Sequence, residues 1–421
     1  MSPGLTLDAA READAADPLS CWRGEFHFPD GPGGRPATYL CGNSLGLQPR
    51  QVVAEVARVL ADWQRLAVLG HHGGDAHWLT YQDTLAPPLG RLLGAAPEEV
   101  TAMASLTINL HLLMASFYRP TRGRYAILVE AGAFPSDRYA MAAQLRHHGL
   151  DPEVALVQVA PRAGEDCLRE EDVEAAIGRE GDRLALVLMP GVQYLTGQAP
   201  DLGRLCRAAH AAGARFGLDL AHAIGNVPLA LHDWGVDFAV WCSYKYLNGG
   251  PGATAGLFVH SRHHDADLPR LAGWYGNELK TRFRFAEGFV PERGAAGWQV
   301  SNGPILGMAP LTASLAQFDA AGLDALVARS RRLTGYLEAL LDARLGEVVE
   351  VLTPRDPRRR GAQLSLRSRK GRDASRALFD RLIAAGVVCD WREPGIIRLA
   401  PAPLYNSFED CWRCVEAMRQ A

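Results

Sequence analysis

The sequence lacks the features that mark secreted, membrane-bound or nucleic-acid-binding proteins. Its first residues, MSPGLTLDAAREADAADPLS, contain neither the basic nor the apolar segment of a secretory signal, and no apolar run approaches membrane-spanning length. The formal net charge is −3, without the basic excess that a nucleic-acid binder shows. The eight cysteines are scattered, which suits a reducing compartment better than a disulfide framework. We therefore expect a cytoplasmic protein that binds neither membranes nor nucleic acids.

Recognisable metal and redox templates are also missing. The segment HHGGDAH, which begins at His71, is rich in potential ligands, but its spacing matches no common zinc site. Cys411 and Cys414 form a C-x-x-C within a helical pattern that no strand precedes. We predict no metal site, although one histidine of the segment could face another kind of ligand.

The length and the pattern of the chain predict two domains. A chain of 421 residues with 48% hydrophobic and 22% charged residues is soluble, globular and too long for one ordinary core. We predict an α/β protein whose large domain spans residues 71–304 and contains a mostly parallel, doubly wound sheet. Residues 305–421, with two long helices followed by alternating short strands and helices, form a smaller α+β domain, to which residues 1–70 contribute.

Buried strands separated by helices lead to this prediction. Apolar runs typical of buried strands occupy residues 184–189, 214–220 and 236–242, and further strands are indicated at residues 124–130 and 256–260. Helical patterns between them indicate the right-handed crossovers of a doubly wound sheet. The segment 261–303 is long and poor in periodicity, so we expect it to reach an active site or a partner subunit.

Polar residues stand where two of these strands end. Asp219 closes one strand with His222 just after it, and Tyr244 and Lys245 follow the next strand. Ligands of open α/β sheets bind beyond the carboxyl ends of the strands, so a carboxylate and an amine meet at one rim. Pyridoxal 5'-phosphate needs a lysine for its Schiff base and an acid that keeps its ring nitrogen protonated. The pair predicts this cofactor, although an Asp or Lys after a strand is common by itself.

Four further residues could contact a ligand, and for two of them a purely structural role is an alternative. A helix that begins near Thr107 could hold a phosphate at its N-terminus or simply be capped there. Phe134 and Asp137 follow the strand 124–130 and could contact a ring. Arg398 lies within an apolar strand and must meet an anion, either a structural carboxylate or that of a substrate.

Taken together, the motifs of the chain resemble those of the kynureninases. The motifs are, in order, GNSLGLQP, LTINLHLLM, AFPSDRYA, YLTGQ, DLAHAIGNVPL, LHDWGVDFAVWCSYKYLNGGPG, LAGWYGNE, GWQVSN and APAPLYNSF. The resemblance implies a fold type I pyridoxal phosphate enzyme of the aspartate aminotransferase class that works as a homodimer. It implies hydrolysis of L-kynurenine or 3-hydroxy-L-kynurenine to anthranilate or 3-hydroxyanthranilate plus L-alanine, a step of tryptophan degradation and of NAD precursor synthesis.

The resemblance also implies a role for each matched residue. Lys245 carries the cofactor, Asp219 partners the pyridine nitrogen and His222 supports it. The other cofactor-binding positions are Leu106, Thr107, Phe134, Pro135, Ser136, Asp137 and Tyr244, with Trp274 and Asn302 supplied by the neighbouring subunit. The substrate positions are Arg398 for the α-carboxylate and Ser44, His71 and Asn302 near the aryl ring.

The chain departs from the family pattern at three places. Pro190 stands where the family usually offers a hydroxyl to the cofactor, and Asn277 stands where a histidine is usual. The segment PERGA at 291–295 lacks the usual small residues. The contact at Pro190 and the details of the dimer-side pocket are therefore open.

The chemistry assigns the acid–base work to two neighbouring residues. Lys245, released when the substrate amine binds the cofactor, takes the α-proton. Tyr244 is the acid that protonates the β-carbon after the carbon–carbon bond breaks, unless it only binds the phosphate. The rival functions are an aminotransferase, a cysteine desulfurase, a non-catalytic pyridoxal phosphate sensor and a variant enzyme for a substituted kynurenine. A desulfurase usually has a histidine where this chain has Tyr244.

We predict that the enzyme prefers the hydroxylated substrate, because His71, Ser301 and Asn302 together are similar to family members that favour 3-hydroxykynurenine. Comparing kcat/KM for the two substrates tests this prediction. A clear preference for unsubstituted kynurenine would reject it.

Overall fold

The computed structural model describes residues 4–75, 77–284 and 288–419. Its strands are β1 (Phe26–His27), β2 (Thr38–Tyr39), β3 (Gln48–Pro49), β4 (Val100–Ala102), β5 (Ala126–Glu130), β6 (Leu156–Val159), β7 (Leu184–Pro190), β8 (Arg215–Asp219), β9 (Phe238–Trp241), β10 (Gly256–Val259), β11 (Val349–Val351), β12 (Leu364–Ser368), β13 (Val387–Val388), β14 (Asp390–Arg392) and β15 (Ile396–Leu399). Its α-helices are α1 (Leu7–Ala15), α2 (Val52–Leu66), α3 (Ala86–Leu93), α4 (Leu106–Phe117), α5 (Pro135–His147), α6 (Pro152–Ala155), α7 (Glu170–Glu180), α8 (Leu202–Ala211), α9 (Leu231–Trp234), α10 (Ile305–Ala321), α11 (Leu323–Leu345), α12 (Arg372–Ala384) and α13 (Phe408–Arg419).

A seven-stranded sheet with the order β4-β10-β9-β8-β7-β5-β6 forms the centre of the large domain. Neighbouring strands from β6 through β9 are parallel, whereas β10 runs antiparallel to both of its neighbours. The predicted mostly parallel sheet is therefore confirmed. Sequence patterns did not predict β4, which has only three residues, or β6, an edge strand whose side chains are half-exposed.

Complete burial and close packing fix where the central strands end. Every residue of β5 and β9 is buried. At Gly217 in β8 a Cβ atom would lie 2.3 Å from the Phe238 ring, so this position needs glycine for β8 and β9 to pair closely. The register places Pro190 opposite Asp219, which brings the ends of β7 and β8 to the same level.

A buried carboxylate ties these strands together at the opposite edge of the sheet. Asp237, just before β9, accepts hydrogen bonds from the Phe216 backbone N–H at 2.8 Å, from His210 at 2.8 Å and from His263 at 2.7 Å. Arg262 donates to it at 2.8 Å. Burial opposes ionisation, but these partners outweigh it and hold the pKa of Asp237 well below its usual range. The hydrogen bonds of Asp237 therefore hold β8 and β9 together at one end of the sheet, and the carboxyl ends of the strands lie at the other end.

The smaller α+β domain combines both ends of the chain, as predicted. Its four-stranded sheet has the order β11-β12-β15-β14 and is antiparallel throughout. The N-terminal segment joins it through the parallel pair of β2 with β13 and through the packing of α1 against α13. Cys411 and Cys414 are fully buried on α13, within the core of this domain. The domain boundaries after residues 70 and 304 stay predictions.

Residues 261–284 and 288–303 are irregular, as their sequence indicates, with short 3₁₀ turns at Ser261–His263, Trp274–Gly276 and Gly294–Trp298. The Asn277 side chain joins two parts of this segment. Its Oδ1 accepts from the Val290 N–H at 2.8 Å, and its Nδ2 donates to the Thr281 hydroxyl at 3.2 Å. This contact gives the unusual Asn277 a structural role. Within the ranges described above, no helix has the length and apolar character that a membrane crossing needs.

Candidate active site

A cavity opens at the carboxyl ends of β5, β7, β8 and β9. Most of the predicted cofactor-binding residues line it together: Leu106, Thr107, Phe134, Ser136, Asp137, Asp219, His222, Tyr244 and Lys245. Pro190 also lines the cavity, so the position that lacks the expected hydroxyl is part of its wall. The acid and the amine that the sequence analysis paired therefore share one space.

Lys245 and His222 form the basic side of the cavity. The Lys245 Nζ lies 3.0 Å from His222 Nε2 and 5.8 Å from the centre of the Phe134 ring. Burial, together with the charge of Lys245, lowers the pKa of His222 well below its usual value, so the imidazole is neutral. Its Nδ1 atom is buried and has no hydrogen-bond partner among the described residues.

Two carboxyl groups form the acidic side. The Asp219 Oδ1 accepts from the Ala221 N–H at 2.7 Å. Burial, and then the neighbouring Asp219, raise the pKa of Asp137 well above its usual value. The Asp137 Oδ1 is buried and unpartnered within the described part of the chain. A positively charged group bound beside Asp219 would relieve this opposition.

Two helix N-termini meet in the lining of the cavity. Helix α4 begins at Leu106 and helix α5 at Pro135, and the Thr107 and Ser136 hydroxyls lie 2.8 Å apart. Ser105 occupies the N-cap position of α4 without a side-chain capping bond, and Thr107 lines the cavity. Free N–H groups and two positive helix dipole ends make this wall suitable for an anion such as a phosphate.

Tyr244 stands beside Lys245 as a proton-bearing group. Burial raises the pKa of Tyr244 above its usual value, so the phenol keeps its proton at neutral pH. The centre of its ring lies 5.9 Å from the Lys245 Nζ. The arrangement places a potential acid next to a potential base.

Arg398 meets a structural carboxylate and also approaches the cavity. Its side chain is only 1% exposed, and its Nε donates to Asp390 Oδ1 at 2.6 Å. Its Nη1 donates at 2.7 Å to the carbonyl of Tyr194, a residue that lines the cavity. Ser44, predicted near an aryl ring, has its hydroxyl 3.2 Å from Arg398 Nη2 and 2.5 Å from Asp390. The structure thus places Ser44 in the arginine cluster.

Several predicted residues lie outside the cavity lining. His71 packs edge-on against Trp78 with ring centres 5.6 Å apart, and Trp274 and Asn302 are exposed. Pro135 opens α5 behind the lining residues. This chain alone does not bring His71, Trp274 or Asn302 to the cavity.

The sequence analysis missed the turn that connects the cavity with Arg398. The Gln193 Oε1 accepts from the backbone N–H groups of Leu195 and Thr196, at 2.6 and 2.8 Å, while its Nε2 donates to the Gly132 carbonyl at 2.9 Å. This shapes the turn that presents Tyr194 to Arg398. The Gln and Thr in the motif PGVQYLTGQ were the available signal, because buried amides and hydroxyls shape turns of this kind.

One trio among the described residues has ligand-type atoms grouped closely enough for a metal, namely Glu99, His232 and His260. Glu99 Oε1 already accepts from the Ser261 N–H at 2.7 Å and lies 2.9 Å from His232 Nδ1. Its Oε2 accepts from the Ala96 N–H at 3.0 Å. These hydrogen bonds give the buried Glu99 carboxylate a structural role, because they join α9, the end of β10 and the start of β4.

Comparison with known proteins places the chain in a family. Residues 326–418 match the family described as the kynureninase C-terminal domain. The kynureninase of Xanthomonas campestris pv. campestris strain B100 is 56% identical over 416 residues, covering 99% of this chain and 98% of the relative. That of Xanthomonas oryzae pv. oryzae strain PXO99A is 58% identical over 410 residues, covering 97% of each.

The chain belongs to the kynureninase family. Solved structures agree with this at the level of the fold. A C-DES mutant with glycine covalently linked to its pyridoxal phosphate cofactor has a TM-score of 0.78 at 16% identity, covering 94% of this chain and 98% of its own. The cysteine desulfurase CsdA of Escherichia coli has a TM-score of 0.75 at 19% identity, with 95% and 97% covered. The fold type I class predicted from the sequence is thus confirmed for this member of the kynureninase family.

We predict that Asp137→Asn raises the thermal stability of the cofactor-free protein at neutral pH. A folded-state pKa that is raised means that the stabilising contribution of Asp137 is complete only below its unfolded pKa and is lost as the pH rises. The gain in Tm over the wild type should therefore be present at pH 7 to 8, which is above the unfolded value of about 3.9, and should shrink towards pH 4.

Differential scanning calorimetry of the cofactor-free proteins measures this. Asp182→Asn, a change at an exposed carboxylate, is the matched control and should leave Tm unchanged. An Asp137→Asn protein that is less stable than the wild type at pH 8 would contradict the proposed opposition of the two carboxyls.

Proposed function

We propose that this protein hydrolyses L-kynurenine or 3-hydroxy-L-kynurenine to anthranilate or 3-hydroxyanthranilate and L-alanine, with pyridoxal 5'-phosphate as cofactor. The names of relatives that are 56% and 58% identical over nearly their full length support this function. The single structural observation that carries it is the cavity that brings Asp219, Lys245 and two helix N-termini together.

The residues of the cavity fit this cofactor part by part. The N-termini of α4 and α5, with the Thr107 and Ser136 hydroxyls, suit the phosphate. Asp219 suits a protonated pyridine nitrogen, and the unpartnered Asp137 Oδ1 and His222 Nδ1 are free to meet ring substituents. Lys245 supplies the amine for covalent attachment. When bound, the cofactor supplies an electron sink that stabilises negative charge at the carbon atoms of the substrate.

Lys245 and Tyr244 divide the proton transfers. The released Lys245 amine takes the α-proton, with the neutral His222 ring 3.0 Å away as an uncharged neighbour. Water must add to the γ-carbonyl of the substrate, so that its oxygen leaves in the carboxylate of the aryl product. Tyr244 holds a proton at neutral pH and can deliver it to the β-carbon when the carbon–carbon bond breaks. Tyr244 would thus act as acid in addition to any contact with the phosphate.

Arg398 orients the substrate through its α-carboxylate. The arginine reaches the cavity beside Tyr194, so a substrate carboxylate held there would fix the orientation of the α-carbon towards Lys245. The fold shared with C-DES at 16% identity and with the cysteine desulfurase CsdA at 19% identity gives no reason to prefer sulfur chemistry.

We further propose a cytoplasmic homodimer in which each subunit completes the active site of the other. Large apolar side chains are exposed at Ile108 on the first turn of α4, at Leu271 and at Trp274, in amounts of 53%, 59% and 48%. A twofold interface would cover the same patch on both subunits. It would also bring Trp274 and Asn302 to the partner's cavity, for which this chain alone gives them no role.

Mixing the purified holoenzyme with each substrate tests the activity. We expect anthranilate or 3-hydroxyanthranilate fluorescence together with equimolar L-alanine. Lys245→Ala should abolish turnover, and Tyr244→Phe should lower kcat by about 10² to 10⁴, the range for a lost general acid. Tyr125→Phe, at a tyrosine outside the cavity lining, is the matched control. Turnover at the wild-type rate in Lys245→Ala would overturn the assignment.

Hybrid dimers test the shared site. Lys245→Ala and Asn302→Ala proteins should each be nearly inactive alone, but random exchange of subunits should restore about one quarter of wild-type activity. Half of the dimers are then hybrids, and each hybrid contains one site with both residues intact. The absence of any recovery, with exchange confirmed by mass spectrometry, would contradict a site built from two subunits.

A further inference from the structure

The arginine cluster of the smaller domain contains more charge than the predicted substrate arginine alone. Asp390 and Arg398 are direct cross-strand partners on β14 and β15. Arg392 lies two residues from Asp390 on β14, so its side chain falls on the same face, and its Nη2 donates to Asp390 Oδ2 at 3.1 Å. The cluster therefore consists of two guanidinium groups around one carboxylate.

The Ser44 hydroxyl joins the three charged groups. It lies 2.5 Å from Asp390 Oδ2, 3.2 Å from Arg398 Nη2 and 3.3 Å from Arg392 Nη2. Arginine can only donate, so the hydroxyl oxygen accepts from both arginines and its hydrogen points to Asp390. Ser44 belongs to the N-terminal segment, which thereby holds the β14–β15 pair against the rest of the site.

The hydrogen bonds of Arg398 leave one direction open. Its Nε donates to Asp390 Oδ1, its Nη2 donates to Asp390 Oδ2 and to Ser44, and its Nη1 donates to the Tyr194 carbonyl. A guanidinium carries five N–H groups, so one N–H of Nη1 remains. That edge of the guanidinium lies beside Tyr194, which lines the cavity.

The charges of the cluster do not cancel. Within the described residues Arg392 and Arg398 form ion pairs only with Asp390, whose side chain is 15% exposed. Two positive charges and one negative charge leave one positive charge in excess. The cluster can therefore accept one further negative charge.

We propose that Asp390 is a positioning residue that clamps Arg398 so that its free Nη1 N–H faces the cavity, and that Arg392 supplies the excess positive charge for the α-carboxylate. This proposal rests on the proposed function, because it assigns these residues to the amino-acid end of the same substrate. Removal of the Asp390 charge should leave the site more positive but its arginine less well oriented. The substitution should therefore lower turnover without weakening substrate binding.

Steady-state kinetics of the holoenzyme test the clamp. Asp390→Asn should lower kcat by about 10²-fold, the effect of a small misplacement of the reacting groups, while KM for L-kynurenine stays constant or falls. Asp390→Glu keeps the charge and should recover part of kcat. Glu350→Gln is the matched control, because Glu350 and Arg367 form an exposed cross-strand pair in the same sheet, and it should change neither parameter.

Ligand titration tests the excess charge without any turnover. In the wild type, the absorbance of the bound cofactor should respond to L-alanine at lower concentration than to L-alaninamide, which lacks the carboxylate. Arg392→Gln should reduce this preference about tenfold. The side chain of Arg392 is 41% exposed, so this variant should fold even where an Asp390 variant does not.

Exchange of the α-hydrogen of L-alanine in D₂O, followed by NMR, reports positioning independently of kynurenine cleavage. Asp390→Asn should slow this exchange at saturating L-alanine. If Asp390→Asn lowers Tm but keeps wild-type kcat, KM and exchange rate per bound cofactor, Asp390 is only a structural partner of Arg398. If Arg392→Gln leaves the preference for L-alanine over L-alaninamide unchanged, the charge assignment of Arg392 is wrong. A wild type that binds and exchanges L-alanine but cleaves no kynurenine would instead refute the proposed function.

Discussion

Two carboxyl groups face one another in a buried cavity, and the chemistry of the site depends on this opposition. Asp219 ends a central strand and Asp137 lies in the first turn of the helix that follows β5, so the fold itself drives the two groups together. Burial away from water makes the like charges costly, which is why the pKa of Asp137 is raised. The surrounding sheet, whose opposite end is held by the hydrogen bonds of Asp237, keeps both carboxyl groups in the lining of the cavity.

A second electrostatic imbalance lies on the other side of the site, in the smaller domain. The group of Asp390, Arg392 and Arg398 has an excess of positive charge, and Tyr194 connects it to the cavity. Three separate parts of the chain meet there, since Ser44 comes from the N-terminal segment and Tyr194 from the turn after β7. Movement of one domain relative to the other would therefore change the distance between the carboxyl groups of the cavity and the arginine cluster.

Much of the fold and half of the site could be predicted from local sequence. The apolar runs that became β5, β7, β8, β9 and β10 are long and uninterrupted, and polar residues directly after them, such as Asp219 and Lys245, identify the rim. Short or edge strands such as β4 and β6 have no such pattern. Asp390 could not be recognised as a partner of Arg398, because the pairing depends on the register of β14 with β15. His71, Trp274 and Asn302 lie outside the cavity of one chain, and no local pattern can show how a second subunit would use them.

The cavity and the arginine cluster match the two ends of a free amino acid. An α-amino acid at neutral pH carries an amine and a negative carboxylate on one carbon atom, so its amine would lie at Lys245 while its carboxylate is drawn to Arg392 and Arg398. A ligand in the reverse orientation would place its positive amine against the two arginines and be rejected. The excess positive charge of the cluster therefore selects the orientation before any contact with the aryl group is made. Contacts to the aryl group are then separate from the end of the substrate at which the α-proton is removed.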